Sequence, residues 1–377
     1  MLLHIEVKSR LGNLGDPILR IAQIAPLYES VPPRLYGGTE RVVSHLTEQL
    51  VNLGHDVTLF ASGDSLTSAT LVSPCSTALR LNPKCQDPLP YHIISLYQVI
   101  QQSAKFDLLH FHTDYCHFSL SKNLALPSIT TLHGRLDLPD LQPLYRHFYD
   151  APVISISYSQ RLPLAAANWI GNVYHGLSPK LYKPRYEPGD YLAFLGRISP
   201  EKRPDRAIEI AIRSGMKLKI AAKIDKVDQA YFEAKVKPLL GHPLVEFIGE
   251  IGDSQKSEFL SNAYAYLFPI DWPEPFGLTM IEAMACGTPT IAFHRGSVTE
   301  IISNKVTGFV VEDMESAIAC VPRISEIDRR TCRRVFEQRF TDERMAVDYV
   351  SLYNRVLREF NEPELAEFEG APPALLK

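Results

Sequence analysis

The sequence predicts an α/β protein with two doubly wound, parallel-sheet domains that face each other across a cleft. Three observations predict this class. Apolar runs of strand length alternate with amphipathic runs of helix length, a single turn-rich stretch at residues 175–190 interrupts them, and 377 residues suit two ordinary domains. Ligands of such sheets bind at the carboxyl ends of the strands, so the interdomain cleft is the expected site.

The elements before the turn-rich stretch form the first series. Apolar runs predict strands at residues 19–26, 56–62, 107–112, 128–133 and 152–157, and periodicity predicts helices at residues 36–55 and 91–104. Thr39 is the expected N-cap of the first helix, and Gly54 is expected to close it.

The second series follows the turn-rich stretch. Strands are predicted at residues 191–196, 218–223, 245–250, 265–270, 288–293 and 308–311, and helices at residues 203–215, 278–287 and 342–360. The predicted domains are an N-terminal Rossmann-like domain at 1–180, a C-terminal Rossmann-like domain at 181–345, and a segment at 346–377. That segment is expected to be a helix packing back on the first domain, followed by a frayed acidic tail.

Composition restricts the class of protein. Apolar residues make up 45% of the chain and charged residues 22%, and the formal charge is −4. This balance argues against nucleic-acid binding. The six cysteines contain no CxxC pair, and we expect no signal peptide and find no apolar run of membrane-spanning length. The sequence therefore predicts a cytoplasmic protein and leaves a peripheral membrane contact open.

Two glycine turns open helices after strands. No GxGxxG or P-loop occurs, so Gly37-Gly38-Thr39 and Phe276-Gly277-Leu278-Thr279 remain as anion-binding candidates. For the first turn, a plain loop with an N-cap is the commoner alternative. Glu274 and Glu282 flank the second turn, and such carboxylates can accept bonds from sugar hydroxyls; the alternative reading is a surface acid and a residue that complements the helix dipole.

A basic loop follows the strand at residues 191–196. Arg197 and Lys202 lie five positions apart in LGRISPEKRPD, and a guanidinium with an ammonium suits a diphosphate. A solvated surface loop is the alternative.

Histidines cluster near the ends of the first-domain strands. HFHTDYCH places His110 and His112 on one strand face, but its spacing matches no zinc pattern. His133 follows a strand and is expected to donate to a sugar hydroxyl or a phosphate. His175 occupies a similar place, with a structural role equally open.

Taken together, these motifs resemble the retaining glycosyltransferases of family 4, which have the GT-B fold of two Rossmann-like domains. EPFGLTMIE resembles the family's signature of two glutamates separated by seven residues, here Glu274 and Glu282. LGRISPEKRPD resembles its phosphate-clamp region, YGGTERVV its glycine loop, and TTLHG the strand end with an active-site histidine. The resemblance runs from about residue 20 to 360, so residues 1–18 fall outside it.

The resemblance implies a role for each motif. Glu282 would hold the donor ribose, and Glu274 would contact the donor sugar beside Phe276, Gly277, Leu278 and Thr279. Arg197 and Lys202 would neutralise the diphosphate, Gly37 and Gly38 would approach it, and His133 would sit beside the sugar. No DxD motif occurs, so no obligatory metal or other cofactor is expected. Where similar sequences often have asparagine, this chain has His175.

The resemblance implies a hexosyltransferase that uses a nucleotide-diphosphate sugar, with UDP favoured over GDP, to extend a glycan, exopolysaccharide, glycolipid or small glycoside. The acceptor is an unidentified hydroxyl compound, expected near residues 28–36 and 114–123. Two alternatives stay open on the same fold: a nucleotide-sugar epimerase and a non-catalytic nucleotide-sugar-binding protein. A phosphorylase would need a pyridoxal lysine, and none can be located.

Overall fold

The computed structural model describes residues 17–35 and 37–362. They form two α/β domains, each around an all-parallel sheet, so the predicted fold class is confirmed. The described residues do not include residues 1–16, Tyr36 of the glycine loop or the tail from residue 363.

The N-terminal sheet contains seven strands within the described residues. Its order is β3-β2-β1-β4-β5-β6-β7. The strands are β1 (Arg20–Ile24), β2 (Asp56–Phe60), β3 (Thr70–Val72), β4 (Leu108–Phe111), β5 (Ser128–Thr131), β6 (Val153–Ser155) and β7 (Trp169–Asn172). The helices of this domain are α1 (Gly38–Asn52), α2 (Leu89–Gln102), α3 (Phe118–Ser121) and α4 (Leu141–His147).

The C-terminal sheet has the order β10-β9-β8-β11-β12-β13. Its strands are β8 (Tyr191–Arg197), β9 (Lys217–Lys223), β10 (Val245–Gly249), β11 (Ala265–Phe268), β12 (Thr290–Phe293) and β13 (Gly308–Val311). The helices are α5 (Pro204–Ser214), α6 (Gln229–Tyr231), α7 (Asp253–Ser261), α8 (Leu278–Ala285), α9 (Val298–Ile301), α10 (Met314–Cys320), α11 (Arg329–Arg339) and α12 (Asp342–Asn361). None of the helices described is long and apolar enough to cross a membrane.

Burial explains which strands the sequence predicts. All four residues of β4, β11 and β12 are buried, as expected of strands covered by helices on both faces. The edge strands β3 and β7 went unpredicted because each is short and only partly buried, so neither carries an apolar run.

The predicted N-cap of α1 is wrong. The helix begins at Gly38, with Gly37 in the cap position, so Thr39 lies inside the first turn and no side chain caps the helix. The first backbone N–H groups of α1 are therefore left to other partners, as suits a glycine loop at a ligand cleft.

The last helix returns to the N-terminal domain. Thr341 accepts a hydrogen bond from the backbone N–H of Arg344 and caps α12. Met345, Tyr349 and Tyr353 of this helix are fully buried in the same apolar cluster as Leu46 of α1. The helix thus ties the end of the chain to the first domain.

A carboxylate joins the two domains beside the cleft. Glu300 of α9 accepts hydrogen bonds from the backbone N–H groups of Tyr158 and Ser159, at 2.8 and 2.7 Å, and from the hydroxyl of Tyr174, at 2.9 Å. Ser157 also donates to the backbone oxygen of Pro275, at 2.6 Å. These bonds hold the end of β6 against the C-terminal domain.

We expect Glu300→Ala to lower the free energy of unfolding by about 2 kcal/mol, because it leaves three donors without their charged acceptor. Chemical denaturation followed by circular dichroism measures the loss. Glu312→Ala is the matched control, since that exposed carboxylate is paired with an exposed residue, His294, and its loss should cost under about 0.5 kcal/mol. Equal losses would contradict a junction role for Glu300.

Candidate active site in the interdomain cleft

A cleft of about 730 Å³ lies between the two domains. In the first sheet β1 has β2 on one side and β4 on the other, and in the second sheet β8 lies between β9 and β11. The order in which successive strands are added to each sheet reverses at β1 and at β8, and doubly wound sheets bind ligands at such points. All the site residues predicted from the sequence line this cleft, together with His175.

The loop before α8 needs its glycine. Gly277 has a φ of +82°, which favours glycine, and a Cβ there would lie 2.6 Å from Cε of Met280. The turn brings Glu274 into the cleft wall, where its carboxylate forms an ion pair with Lys202. The indole N–H of Trp272 donates to the same carboxylate oxygen, at 3.1 Å.

Glu282 is a buried carboxylate with one oxygen still unpaired. Its Oε1 accepts from the hydroxyl of Tyr182 at 3.0 Å and from Nζ of Lys256 at 3.1 Å. Its Oε2 is buried and has no hydrogen-bond partner among the described residues. A buried carboxylate oxygen without a partner is costly, so this atom is available to accept from a ligand hydroxyl at the cleft.

Arg41 connects the two walls of the cleft near Glu282. Its guanidinium is buried, forms an ion pair with Asp253 of α7 and donates to the backbone oxygen of Leu35, at 2.9 Å. Lys256 also lies 3.4 Å from Asp253. A single network of charges therefore runs from the glycine loop to Glu282.

Both predicted diphosphate-binding cations already contact carboxylates. Arg197 lies 3.2 Å from Asp228 and 3.6 Å from Glu201, and Lys202 is paired with Glu274. The ammonium of Lys202 also lies 5.2 Å from the Trp272 ring centre. A diphosphate that binds here competes with these carboxylates for the two cations.

The glycine loop directly faces the loop before α8. A Cβ on Gly38 would lie 3.5 Å from Leu278, at the start of α8, and a Cβ on Gly37 would lie 2.7 Å from Pro33. A side chain at residue 37 therefore has no room. Gly38 places the backbone of one domain next to the helix start of the other.

Neutral histidines form the wall of the first domain. Burial lowers the pKa of His133 to about 3, and burial likewise lowers the pKa of His175 and His112 well below the usual range. His175 stacks on His133 with ring centres 5.2 Å apart and meets Phe276 edge-on at 4.8 Å. His175, whose role the sequence left open, thus lies between His133 and Phe276 of the loop before α8.

The metal-like run HFHTDYCH is arranged for hydrogen bonding within the protein. His110 and His112 share a face, as predicted, with ring centres 4.1 Å apart. Within the part of the chain that the structure describes, no group of three or more His, Cys, Asp or Glu side chains could hold a metal ion.

Asp114 is a cleft carboxylate that the sequence placed only within an acceptor region. It has a φ of +52° and lines the cleft with Tyr28, Tyr115 and Arg80, the last paired with Glu29 at 2.8 Å. The side chain faces the open cleft, and the surrounding walls remove enough water from the carboxyl to raise its pKa to about 6. This part of the wall offers rings, a carboxylate and an ion pair to a polyhydroxyl compound.

Two family models match the chain. The model for Glycosyl transferases group 1 matches residues 183–330, and the model for Glycosyltransferase Family 4 matches residues 36–170. An uncharacterized glycosyltransferase of Methanocaldococcus jannaschii is 24% identical over 334 residues, which cover 77% of this chain and 85% of the relative. Glycogen synthase of Mycobacterium tuberculosis is 23% identical over 346 residues, covering 78% of this chain and 80% of that protein.

Solved structures share the fold. A glycosyltransferase involved in avilamycin A biosynthesis matches with a TM-score of 0.69 and 23% identity, covering 90% of this chain and 98% of that one. HepE of Anabaena, solved in complex with UDP, matches with a TM-score of 0.69 and 17% identity over 89% of this chain and 100% of that one. With the family models on both domains, these matches establish that the chain belongs to the family 4 glycosyltransferases of GT-B fold. It is therefore a glycosyltransferase.

Several cleft residues escaped the sequence reasoning. Lys256 and Tyr182 donate to Glu282, Arg41 pairs with Asp253 beside them, and Trp272 donates to Glu274. Only Trp272 carried a local signal, as a tryptophan two residues before Glu274. The others are ordinary residues whose meaning comes from long-range contact.

We expect Asp114→Asn to change the pH dependence of stability. The carboxyl pKa is 3.8 in the unfolded chain and about 6 in the folded chain, so stability falls as pH rises from about 4 to about 6 and levels off above. The melting temperature of the variant relative to the unsubstituted protein should therefore rise between pH 4 and pH 7 in calorimetry.

Asp137→Asn is the control of opposite sign. A hydrogen bond from Arg135 lowers the pKa of Asp137, so its carboxylate stabilises the fold above its unfolded pKa, and this contribution disappears as the pH falls. That variant should lose stability relative to the unsubstituted protein as pH rises towards about 4, and the difference should change little from there to pH 7, because the stabilisation is fully present above the unfolded pKa of 3.8. If Asp114→Asn shows this trend or none, the carboxyl is not held in a raised-pKa environment.

Proposed function

We propose that this glycosyltransferase moves a hexose from a UDP sugar to a hydroxyl acceptor with retention of the anomeric configuration. The observation that carries the proposal is the buried Oε2 of Glu282, which has no hydrogen-bond partner among the residues described, in a cleft that also contains Arg197 and Lys202. A nucleoside diphosphate has hydroxyls for the first and negative oxygens for the others.

The donor would lie along the C-terminal wall. Glu282 Oε2 would accept from a ribose hydroxyl, while Lys256 and Tyr182 hold the other carboxylate oxygen. Arg197 and Lys202 would bind the diphosphate. The backbone N–H groups at the start of α8 add a favourable electrostatic field for anions.

The reaction breaks the bond between the anomeric carbon and the diphosphate oxygen. Negative charge grows on the departing diphosphate, and Lys202 and Arg197 stabilise it where it develops. When Lys202 turns to the phosphate, Glu274 is released to accept from hydroxyls of the sugar. The acceptor oxygen bonds to the anomeric carbon on the face that the diphosphate leaves, and its proton passes to a leaving phosphate oxygen. No protein base is needed in this scheme.

The comparisons support the donor class more than the acceptor. One structural neighbour was solved with UDP, with UDP and glucose, and with UDP-glucose, whereas one relative is named as GDP-mannose-dependent. We favour UDP on this basis. The acceptor would bind beside Tyr28, Asp114 and Tyr115, whose rings and carboxylate suit a polyhydroxyl compound.

We propose that no metal is required, because two cationic side chains already stand where the diphosphate would bind. Undiminished turnover in EDTA is the expected result. A cytoplasmic location is part of the same proposal, supported by six unpaired cysteines. An epimerase or a nucleotide-sugar sensor differs in that neither would release UDP.

Nucleoside diphosphates should stabilise the folded protein. At a concentration of a hundred times its Kd, UDP should stabilise the folded protein by about 2.7 kcal/mol. We expect UDP to raise the melting temperature more than GDP or ADP does at the same concentration. Glu282→Gln should remove most of this shift, because it withdraws the charged acceptor from the ribose and leaves Lys256 with Asp253 as its remaining carboxylate partner. Glu258→Gln, at an exposed position of α7, is the control. If the Glu282 variant keeps the full shift, the ribose assignment fails; a shift only with GDP or ADP would replace the base.

Lys202→Ala should reduce turnover by about a hundredfold to a thousandfold, because it removes a cation that acts on the leaving group. Release of UDP from UDP-glucose, with water as the acceptor, measures this without knowledge of the natural acceptor. Exposed Lys226→Ala is the control. Turnover of Lys202→Ala like that of the unsubstituted protein would refute the role of Lys202 at the diphosphate.

Retention predicts the anomer that the unsubstituted protein releases in this hydrolysis. Proton NMR at early times should show the α-anomer of glucose first, and early β-anomer would refute retention.

A further inference from the structure

A chain of buried hydrogen bonds leads away from the cleft through His133. Nε2 of His133 lies 2.9 Å from Nδ1 of His112, and Nε2 of His112 lies 2.8 Å from the side-chain oxygen of Gln23. Gln23 lies in the middle of β1 and is fully buried. The cleft histidine is thus joined to the interior of the sheet.

The chain continues beyond Gln23 to the last helix. The side-chain nitrogen of Gln23 donates to the hydroxyl of Tyr353, at 3.1 Å, and that hydroxyl lies 2.7 Å from Nδ1 of His110. Nε2 of His110 lies 2.7 Å from the hydroxyl of Thr131. Every ring nitrogen of His110 and His112 therefore has a partner within the protein.

All three histidines are uncharged, since burial lowers the pKa of each below the usual range. A neutral imidazole has one N–H donor and one bare nitrogen that accepts. Each bond along the chain therefore has a direction, and the direction of one bond determines the next.

Gln23 sets that direction. Its side-chain oxygen can only accept, so His112 must carry its proton on Nε2 and leave Nδ1 bare. Bare Nδ1 of His112 then accepts from Nε2–H of His133. On the other side, the amide N–H of Gln23 donates to Tyr353, whose hydroxyl is free to donate to His110.

The remaining nitrogen of His133 has no such partner. Its Nδ1 is buried and makes no hydrogen bond within the described residues, and the residue lines the cleft. The ring of His175, stacked on one face of His133, holds the imidazole plane against the cleft wall. By the direction of the chain, this nitrogen is a bare acceptor.

We propose that Gln23 is a positioning residue that acts through His112 to hold the proton of His133 on Nε2. Nδ1 of His133 then accepts a hydrogen bond from a hydroxyl of the sugar being transferred. The identity of that partner rests on the function proposed above, whereas the tautomer does not. The sequence alone predicted His133 as a donor to its ligand, whereas this proposal makes its Nδ1 an acceptor.

An acceptor nitrogen selects among sugars. A hydroxyl at the contacted position satisfies Nδ1, whereas a deoxy sugar leaves the buried nitrogen unpaired. His133 would therefore discriminate at one position of the sugar without contacting the nucleotide.

Nitrogen NMR of protein labelled with ¹⁵N-histidine tests the tautomer without substrate. Protonated and bare ring nitrogens resonate far apart, and the signals of His133 are assigned by their loss in His133→Asn. We expect the proton on Nε2 in the unsubstituted protein. A proton on Nδ1 would overturn the proposal, since the chain would then run in the opposite direction.

Gln23→Met tests whether Gln23 sets the tautomer. This variant removes both polar groups at similar volume, and the proton of His133 should then populate both nitrogens. Gln160→Met is the matched control. Gln160 is also a buried glutamine beside His133, but it donates to the backbone oxygens of Leu132 and Gly134 and takes no part in the chain.

A folded Gln23→Met protein with the Nε2 proton intact would refute the role of Gln23. If this variant fails to fold, Tyr353→Phe replaces it. That change removes only the hydroxyl to which Gln23 donates. We expect a partial shift of the His133 proton, and no shift would again refute the proposal.

Transfer assays test the sugar contact separately. Among UDP sugars that each lack one hydroxyl, one position should cost about fivefold in kcat/KM with the unsubstituted protein and much less with Gln23→Met. UDP affinity should be equal in the two proteins, since His133 contacts no nucleotide in this scheme. Equal sensitivity at every position would refute the sugar contact. If the unsubstituted protein does not bind UDP, the proposed function is refuted, while the result on the tautomer of His133 stands.

Discussion

Charge compensation between separate elements is the constraint on which the site depends. Glu282 is buried and paired with Lys256, Glu274 with Lys202, and Asp253 with buried Arg41. Burying one such charge alone costs several kcal/mol, so each carboxylate needs its cation in place. The folded cleft therefore holds cations at defined points, and a ligand with negative oxygens can exchange for the carboxylates.

The two walls of the cleft divide the chemistry. The C-terminal wall is charged, with Arg197, Lys202 and two glutamates, as suits a diphosphate and a ribose. The N-terminal wall near His133 is uncharged, because burial keeps its histidines neutral. In general, a charged wall suits the stabilisation of a charged leaving group, whereas neutral hydrogen-bonding groups held in place can discriminate among hydroxyls.

The fold supports this division with few contacts. Glu300 connects the end of β6 to the C-terminal domain, and α12 returns the chain to cover the N-terminal sheet. Tyr353 on that helix belongs both to the apolar cluster and to the hydrogen-bond chain that ends at His133. Packing of the last helix thereby affects a residue in the cleft.

The sequence by itself determined the alternation of elements, the two domains and the cleft motifs, because these depend on local periodicity and on residues close together in the chain. The two glutamates, Arg197, Lys202 and the glycine turns were all found this way, while the edge strands and the start of α1 were not. Only the tertiary structure decided which cation faces which carboxylate and which side chains surround His133. Lys256 meets Glu282, and Gln23 meets His112, across 26 and 89 residues of chain. No local pattern encodes contacts of that range, because they arise only when separate elements pack.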